Sequence, residues 1–182
     1  MDKVGDNIKS GNASWTFSGD VVNTFDEHIT KSIPMYKESH ILGSHITDHF
    51  IALEGNIVDI GCSTGIFLKM VGLRHPSSDI KMVGYDIEKP MVKRARLNTG
   101  KDKRIEIKCE DITEITLPET SFISSFYTLQ FISQKRRQTL VNDIYLSLNW
   151  GGGFLLFEKV RGPDARFQDI ATSLYTEFKL TN

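Results

Sequence analysis

Cysteine is scarce in this sequence. Cys62 and Cys109 are the only two, too few for a disulfide framework, so a reducing cytoplasm is the expected setting. Long apolar runs are missing as well. None approaches the ~20 residues that a bilayer span needs, and the opening stretch MDKVGDNIKSGNAS has no apolar centre of the kind a signal peptide carries. No membrane partner is therefore expected. Charge of one sign is also lacking. The formal net charge is −1, which removes any global attraction to nucleic acid or to an anionic surface. Repeats and low-complexity tracts are absent. What remains has the composition of a globular chain, 40% hydrophobic and 25% charged over 182 residues, enough for one domain with a sizeable core. Residues 1–13 are polar and rich in Gly, Asn and Ser, which predicts a disordered arm ahead of a single domain over 14–182.

The apolar residues then change period along the chain. Val21, Val22, Phe25, Ile29 and Ile33 recur at helical spacing, and Pro34 interrupts that helix. A second helix is predicted over 36–52, with Ile41, Leu42, Ile46, Phe50 and Ile51 as its apolar stripe. From Ile57 onward strands and helices alternate. Strands are predicted at 57–60, 80–85, 105–109, 122–129 and 154–157. The intervening helices lie at 65–75, 90–98 and 134–150, the last with Leu140, Val141, Ile144, Leu146 and Leu148 inward, and a final amphipathic helix starts near Asp164. Such alternation means βαβ units: an α/β fold with a mostly parallel, twisted sheet covered by helices on both faces, preceded by two N-terminal helices. Ligands of such sheets bind beyond the carboxyl ends of the strands, where the strand order reverses.

The residues at those ends suit a nucleoside. The turn VDIGCSTG contributes Asp59, Gly61, Cys62, Ser63 and Gly65. Its two glycines remove side chains where backbone passes close to a ligand, and the following helix presents free amides. Asp86 ends the second strand, where a carboxylate accepts hydrogen bonds from ribose hydroxyls. Asp111, after the third, can accept from the exocyclic amine of adenine. A dinucleotide site would read G-x-G-x-x-G, but Ser63 and Ile66 stand at the second and third glycine positions. D-x-G-x-x-x-G followed by acids on the next two strands instead resembles the class I, Rossmann-like methyltransferase fold and its cofactor S-adenosylmethionine.

Other motifs have blander explanations. Gly61 to Gly65 also match the G-x-S-x-G nucleophile elbow, but the one histidine after Ser63 is His75, on the same predicted helix and out of reach of that serine. His45 and His49 share a helix face without a third ligand, so no metal is expected. The basic stretch from Lys93 to Arg104 reads as a solvated helix face rather than an RNA contact. Trp15 and Phe17 read as a hydrophobic staple for the first helix.

A closer resemblance covers the chain from about Trp15 onward. WTF at 15–17, SIPMY at 32–36, VDIGCSTG at 58–65, EDITEI at 110–115, TLQFI at 128–132, NWGGGFLLFEK at 149–159 and YTEFK at 175–179 resemble the carboxy-S-adenosylmethionine synthase family. The resemblance implies a transferase that makes carboxy-S-adenosylmethionine, with prephenate as carboxyl source, for wobble-uridine modification in tRNA by a separate enzyme. It implies that Tyr36, the candidate catalytic residue, reaches over the sulfonium end of the ligand. Gly61, Cys62 and Ser63 would line the methionine portion, with Asp59 organising the loop around its ammonium. Asp86 and Ile87 would hold the ribose and flank the adenine, and Asp111 and Ile112 its edge. The alternatives are methyl transfer to a small molecule, in which S-adenosylhomocysteine is the product, and a non-catalytic cofactor-binding module.

Two departures stand out. Phe126 occupies the position of a family asparagine that could bond the donor. The family also continues beyond the position of Asn182, into a segment with an arginine that pairs with the ligand carboxylate of the neighbouring subunit. The chain therefore reads as a truncated form in which the fold's terminal antiparallel hairpin is missing. Phe154 to Phe157 would then be an apolar sheet edge, which predicts shielding by a two-fold homodimer. In the final helix Phe167, Ile170, Leu174 and Phe178 would pack partly on the sheet and partly on the partner.

Overall fold

The computed structural model describes residues 9–11, 14–16, 21–51 and 55–181. Two short strands, β1 (Lys9–Gly11) and β2 (Ser14–Thr16), pair antiparallel. Lys9–Gly11 of this pair falls within the stretch whose composition predicts a disordered arm; the rest of 1–13 and the expected staple residue Phe17 lie outside the described residues. Next come α1 (Val21–Ser32) and α2 (Tyr36–Ile46), the latter closed by a 3-10 turn at Thr47–His49. The alternating portion runs β3 (Asn56–Ile60), α3 (Ile66–Arg74), β4 (Lys81–Asp86), α4 (Lys89–Thr99), β5 (Ile105–Cys109), β6 (Thr120–Phe126), a 3-10 turn at Leu129–Phe131, α5 (Gln134–Ser147), β7 (Leu148–Phe157) and α6 (Ala165–Thr181). The main sheet has the order β5-β4-β3-β6-β7 and every pairing in it is parallel.

Adjacent residues along β3 serve opposite layers. Ile57 joins Met82, Ile107 and Phe122 against Phe67, Leu68 and Val71 of α3 and Val92 and Ala95 of α4. Val58 and Ile60 join Ile123 against Leu140 and Ile144 of α5. Ile57, Val58 and Ile60 are all fully buried, and each such side chain stabilises the fold by roughly 1.5–3 kcal/mol. With β3 covered on both faces, its carboxyl end is held rigidly for the turn that follows.

Four elements differ from the periodicity. In α2 the buried face is Ser39, His40, Gly43 and Ser44, while Ile41 and Leu42 of the expected stripe are exposed. Gly43 explains the inversion. A Cβ built there would stand 3.0 Å from both Leu155 Cδ2 and Phe126 Cζ, so small residues face the sheet and the two serines bond back to the carbonyls of Tyr36 and Ile41. The 36–52 helix is correspondingly shorter. In α5 only Leu140 and Ile144 of the predicted inward set are deeply buried; Val141 and Leu146 face outward. The helix ends at Ser147 because Leu148 is already extended and pairs with Thr120, giving a much longer β7 than the predicted 154–157. The predicted 122–129 strand stops at Phe126, and Tyr127 turns left-handed at φ 56°.

The last helix is capped as its sequence suggests, by Asp164 Oδ1 accepting the Phe167 N–H at 2.9 Å. It touches α1 but buries none of its residues, which corrects the expectation that its stripe packs on the sheet. Beside β7 no antiparallel strand is found among the described residues.

Gly84 yields a stability prediction. A Cβ there would stand 2.8 Å from Cys62 Sγ and 2.9 Å from Ile107 Cδ1. Gly84→Ala is expected to destabilise the fold by about 1–3 kcal/mol, the usual cost of overpacking a core. Urea denaturation checks it; an unchanged midpoint would show that the turn holding Cys62 yields freely.

Candidate functional site

Strand order reverses at β3, which lies between β4 and β6, and the crevice at the carboxyl ends of these strands is the place a ligand enters such a sheet. The turn after β3 is built to stay open there. Gly61, Ser63 and Gly65 have φ of 71°, 50° and 75°, and the Gly61 and Cys62 amides both donate to the Tyr85 carbonyl. Asp86 completes the clasp: Oδ2 accepts the Ser63 N–H and Oδ1 the Glu88 N–H, each at 2.8 Å. One carboxylate thus ties the turns after β3 and β4 together. Gly61 leaves room for the Thr128 side chain, into which a Cβ would run. Gly65 is set back from the crevice; its left-handed backbone starts α3, and its missing Cβ lets Thr99 and Ala95 of α4 approach.

These elements enclose a cavity of about 510 Å³, within the usual range for small-molecule sites. Tyr36, Asp59, Gly61, Cys62, Ser63, Asp86, Ile87, Asp111, Ile112 and Phe126 all line it. Its chemistry differs from end to end.

Asp59 sits on the buried floor, 2% exposed, with Ser124 Oγ donating to its Oδ1 at 2.7 Å. Burial pushes its carboxyl up to about 7, against the Ser124 hydrogen bond, and the nearby Asp86 adds to the rise. Burial likewise raises Asp86, opposed by the amides it accepts. The Cys62 thiol is driven well up by burial and by both carboxylates, so Cys62 is a packing residue and not a thiolate nucleophile. Together these groups form an acidic floor short of compensating charge, suited to a cation.

At the opposite end, Asp111 Oδ1 accepts the backbone N–H and the hydroxyl of Thr113 at 2.9 and 2.7 Å. Partial burial works to raise this carboxyl, but the Thr113 bonds and Arg136, 3.6 Å away, outweigh it and hold Asp111 below the ordinary range. Ile112 is buried, and Ile87, also lining the cavity, is exposed. An ionised acceptor and two apolar side chains lining one end of a cavity match a flat heterocycle carrying an amine.

The aromatic wall is the part that sequence reasoning describes least. Tyr36 stacks on Tyr127 with ring centroids 6.0 Å apart. Met35 and Tyr127, beside or within this pair, both have left-handed backbones, φ 58° and 56°, an arrangement that clusters at functional sites. Burial holds the Tyr36 phenol far above its usual range, so it remains neutral. Phe126 packs at 4.8 Å from Phe67 and 5.3 Å from Phe157 and belongs to the core as well as to the cavity. His40 stacks on Phe126 at 4.2 Å. From α1, Asp26 Oδ1 accepts the Thr64 hydroxyl at 2.6 Å and latches that helix to the glycine turn. Tyr127 and Thr128 belong to the strand end at 126–130, where a ligand is expected, but the sequence assigns no role in the site to His40 or Asp26. The helical spacing from Tyr36 to His40 is the signal that could point to the histidine.

Several other candidates fall away from the site. His45 and His49 are exposed, and among the described residues no group of three or more His, Cys, Asp or Glu could hold a metal. His75 accepts or donates to Thr47 Oγ1 at 2.9 Å, beyond the turn that carries Ser63. Within the basic stretch, Arg96 bonds the Ile107 carbonyl and Arg104 bonds the Gly72 and Ser78 carbonyls, so both brace the fold. No described helix is long and apolar enough to cross a membrane.

Comparison with known proteins agrees with this geometry. Residues 57–152 match the family model described as a methyltransferase domain. The chain is 35% identical to the carboxy-S-adenosyl-L-methionine synthase of Staphylococcus epidermidis, over 92% of this chain and 73% of that protein. It is 34% identical to the synthase of the same name from Trichodesmium erythraeum, over 92% and 67%. Among solved structures, a protein of Methanococcus maripaludis superposes with a TM-score of 0.61 at 20% identity, covering 96% of this chain and 75% of that one. A SAM-dependent methyltransferase of Geobacter sulfurreducens, in complex with S-adenosyl-L-homocysteine, gives 0.57 at 14% identity, over 73% and 53%. Those structures establish the shared fold, and the sequence relatives establish the branch. The chain belongs to the carboxy-S-adenosyl-L-methionine synthase family, a group of S-adenosylmethionine-dependent enzymes built on the methyltransferase domain.

Proposed function

We propose that this chain binds S-adenosylmethionine in the 510 Å³ cavity and makes carboxy-S-adenosylmethionine from it, with prephenate as the carboxyl source. The carrying observation is that the acidic floor of Asp59 and Asp86 lines one cavity with Asp111, Ile87 and Ile112, in a chain of this family. The bound molecule supplies an activated methyl on a sulfonium. The residues then divide the remaining work. Gly61, Cys62 and Ser63 line its methionine portion, and Asp59 faces the ammonium. Asp86 accepts from the ribose hydroxyls, Asp111 from the adenine amine, and Ile87 and Ile112 sandwich the base. Tyr36, neutral and stacked on Tyr127, covers the sulfonium end, and Phe126 backs that wall.

The product would serve a separate transferase in tRNA modification in the cytoplasm, which agrees with a near-neutral chain that has no need to meet tRNA itself. A two-fold homodimer is part of this reading. Leu156 on β7 and Phe167, Ile170 and Leu174 on α6 are exposed apolar side chains that such an interface would cover.

One observation favours methyl transfer to a small molecule as the second reading. At the Tyr36 end, the charged side chains lining or latching the cavity are Asp26, Asp59 and Asp86; Arg136 stands across from them beside Asp111. Carboxylates of this kind favour the uncarboxylated, cationic donor. Mass spectrometry of the ligand carried through purification, then of an incubation with S-adenosylmethionine and prephenate, separates the readings. A carboxylated donor is the expected result. Conversion to S-adenosylhomocysteine alone would move the assignment to methyl transfer, and failure to bind either nucleoside would remove both.

A further inference from the structure

His40 is a buried titratable group inside the cavity that neither the fold nor the proposed reaction uses. It lies one helical turn after Tyr36, with its ring 4.4 Å from the Tyr36 ring, 4.2 Å from Phe126 and 6.1 Å from Phe67. Three aromatic neighbours and 5% exposure fix its orientation. Its hydrogen bond fixes its tautomer. Nδ1 is 2.9 Å from the Tyr36 carbonyl oxygen, and a carbonyl only accepts, so Nδ1 carries the proton. Nε2 is then a bare lone pair, with no hydrogen-bond partner among the described residues, in a ring that lines the cavity. An acceptor held this way in an aromatic wall is a polar feature that the core would not retain for packing alone.

We infer that His40 is a specificity-determining residue of the donor site, its neutral Nε2 facing the positively charged sulfonium end of S-adenosylmethionine and favouring it over the uncharged thioether of S-adenosylhomocysteine. The inference rests on the placement of the sulfonium end at Tyr36 given above. The chemistry has a definite sign. A lone pair is attracted to a cationic centre and to its polarised C–H groups, whereas a protonated imidazole would present a second positive charge there. Burial lowers the His40 pKa below the usual histidine range, with the Tyr36 carbonyl and Asp26 opposing, so the ring is neutral at physiological pH. The groups around it are Asp26 on α1, the phenols of Tyr36 and Tyr127, and the apolar rings of Phe67 and Phe126.

Calorimetry with both nucleosides tests this. The two share the ammonium, ribose and adenine, so the ratio of their affinities isolates the sulfonium. In the native protein the preference for S-adenosylmethionine is expected to fall about tenfold as the pH is lowered from roughly 7.5 through the usual histidine range and on below it, where the buried His40 gains its proton. In His40→Gln, whose amide oxygen can accept but does not titrate, the ratio is expected to stay flat with pH. In His40→Leu the preference is expected to be lost already at about pH 7.5. Thermal melts identify folded variants, and the pH series on the native protein needs no variant. A ratio unmoved by pH in the native protein would overturn the inference while leaving the cavity assignment standing. So would an equal fall in His40→Gln, which would place the titration on Asp59. Absence of binding by both nucleosides would overturn the cavity assignment and this inference with it.

Discussion

Replacing Asp86 with alanine is expected to weaken S-adenosylmethionine binding by about 1.5–3 kcal/mol, roughly ten- to a hundred-fold, the scale of hydrogen bonds to a charged group. Two effects combine. The carboxylate is the proposed acceptor for the ribose, and it also accepts the Ser63 and Glu88 amides that set the shape of both turns. Each oxygen has a second acceptor position, so the clasp and the ribose contact coexist. Asp86→Asn keeps the volume but has only one accepting oxygen, and its loss is expected to be intermediate. Calorimetry on folded variants decides the matter; unchanged affinity in the alanine form would remove Asp86 from the ligand's contacts.

Asp59→Asn is expected to act in the opposite direction on stability. The folded pKa is about 7, above the ~3.9 of an unfolded aspartate. Between these values the folded chain keeps a proton that the unfolded chain releases. For this group, stability is therefore fully present below about pH 4, declines as the pH rises towards 7, and is constant beyond that. An asparagine amide can still accept the Ser124 hydroxyl and carries no charge to bury. At pH near 8 the variant is expected to gain up to roughly 4 kcal/mol over the native apo protein, with the gain vanishing near pH 4. Ligand affinity should fall at the same time, because the charge that destabilises the empty site is the one offered to the ammonium. Urea denaturation at both pH values provides the check, and equal gains at the two would show that folding does not raise the Asp59 pKa above its unfolded value.

Most of the parallel sheet and its strand-end acids can be read from the sequence, for a physical reason. Buried parallel strands are continuous apolar runs, and Asp59, Asp86 and Asp111 interrupt them where the chain must turn. Contacts that depend on close approach are not legible in this way. Nothing in the order of letters says that Gly43 brings α2 down onto Phe126 and Leu155. Once it does, Ser39, His40 and Ser44 are buried and the larger Ile41 and Leu42 are left outside. His40 enters the cavity through that inversion, so the periodicity that misplaces the stripe also hides the histidine. The boundary between α5 and β7 is set by a partner strand far back in the chain, through the Thr120–Leu148 pairing, and Gln134 to Trp150 read locally continues as helix. Asp26 meets Thr64 only because α1 folds back over the turn.

The central pairing of the sheet has a kinetic consequence. β3 lies beside β6, and the hydrogen bond from Ser124 to Asp59 closes a separation of 65 residues, whereas β4 and β5 are near neighbours in sequence. Loop closure over such a distance has to precede any reward from the contacts it makes, and parallel pairings of this kind are slow to form. During synthesis, β3, β4 and β5 emerge with their helices while β3 still has a bare flank. Asp59 on that strand lines the cavity. The ribosome must deliver residues 120–126 before the flank is covered, so the proposed binding crevice is among the last features of the molecule to come into existence, and until then an apolar strand edge waits in solution as a place where one nascent chain can pair with another.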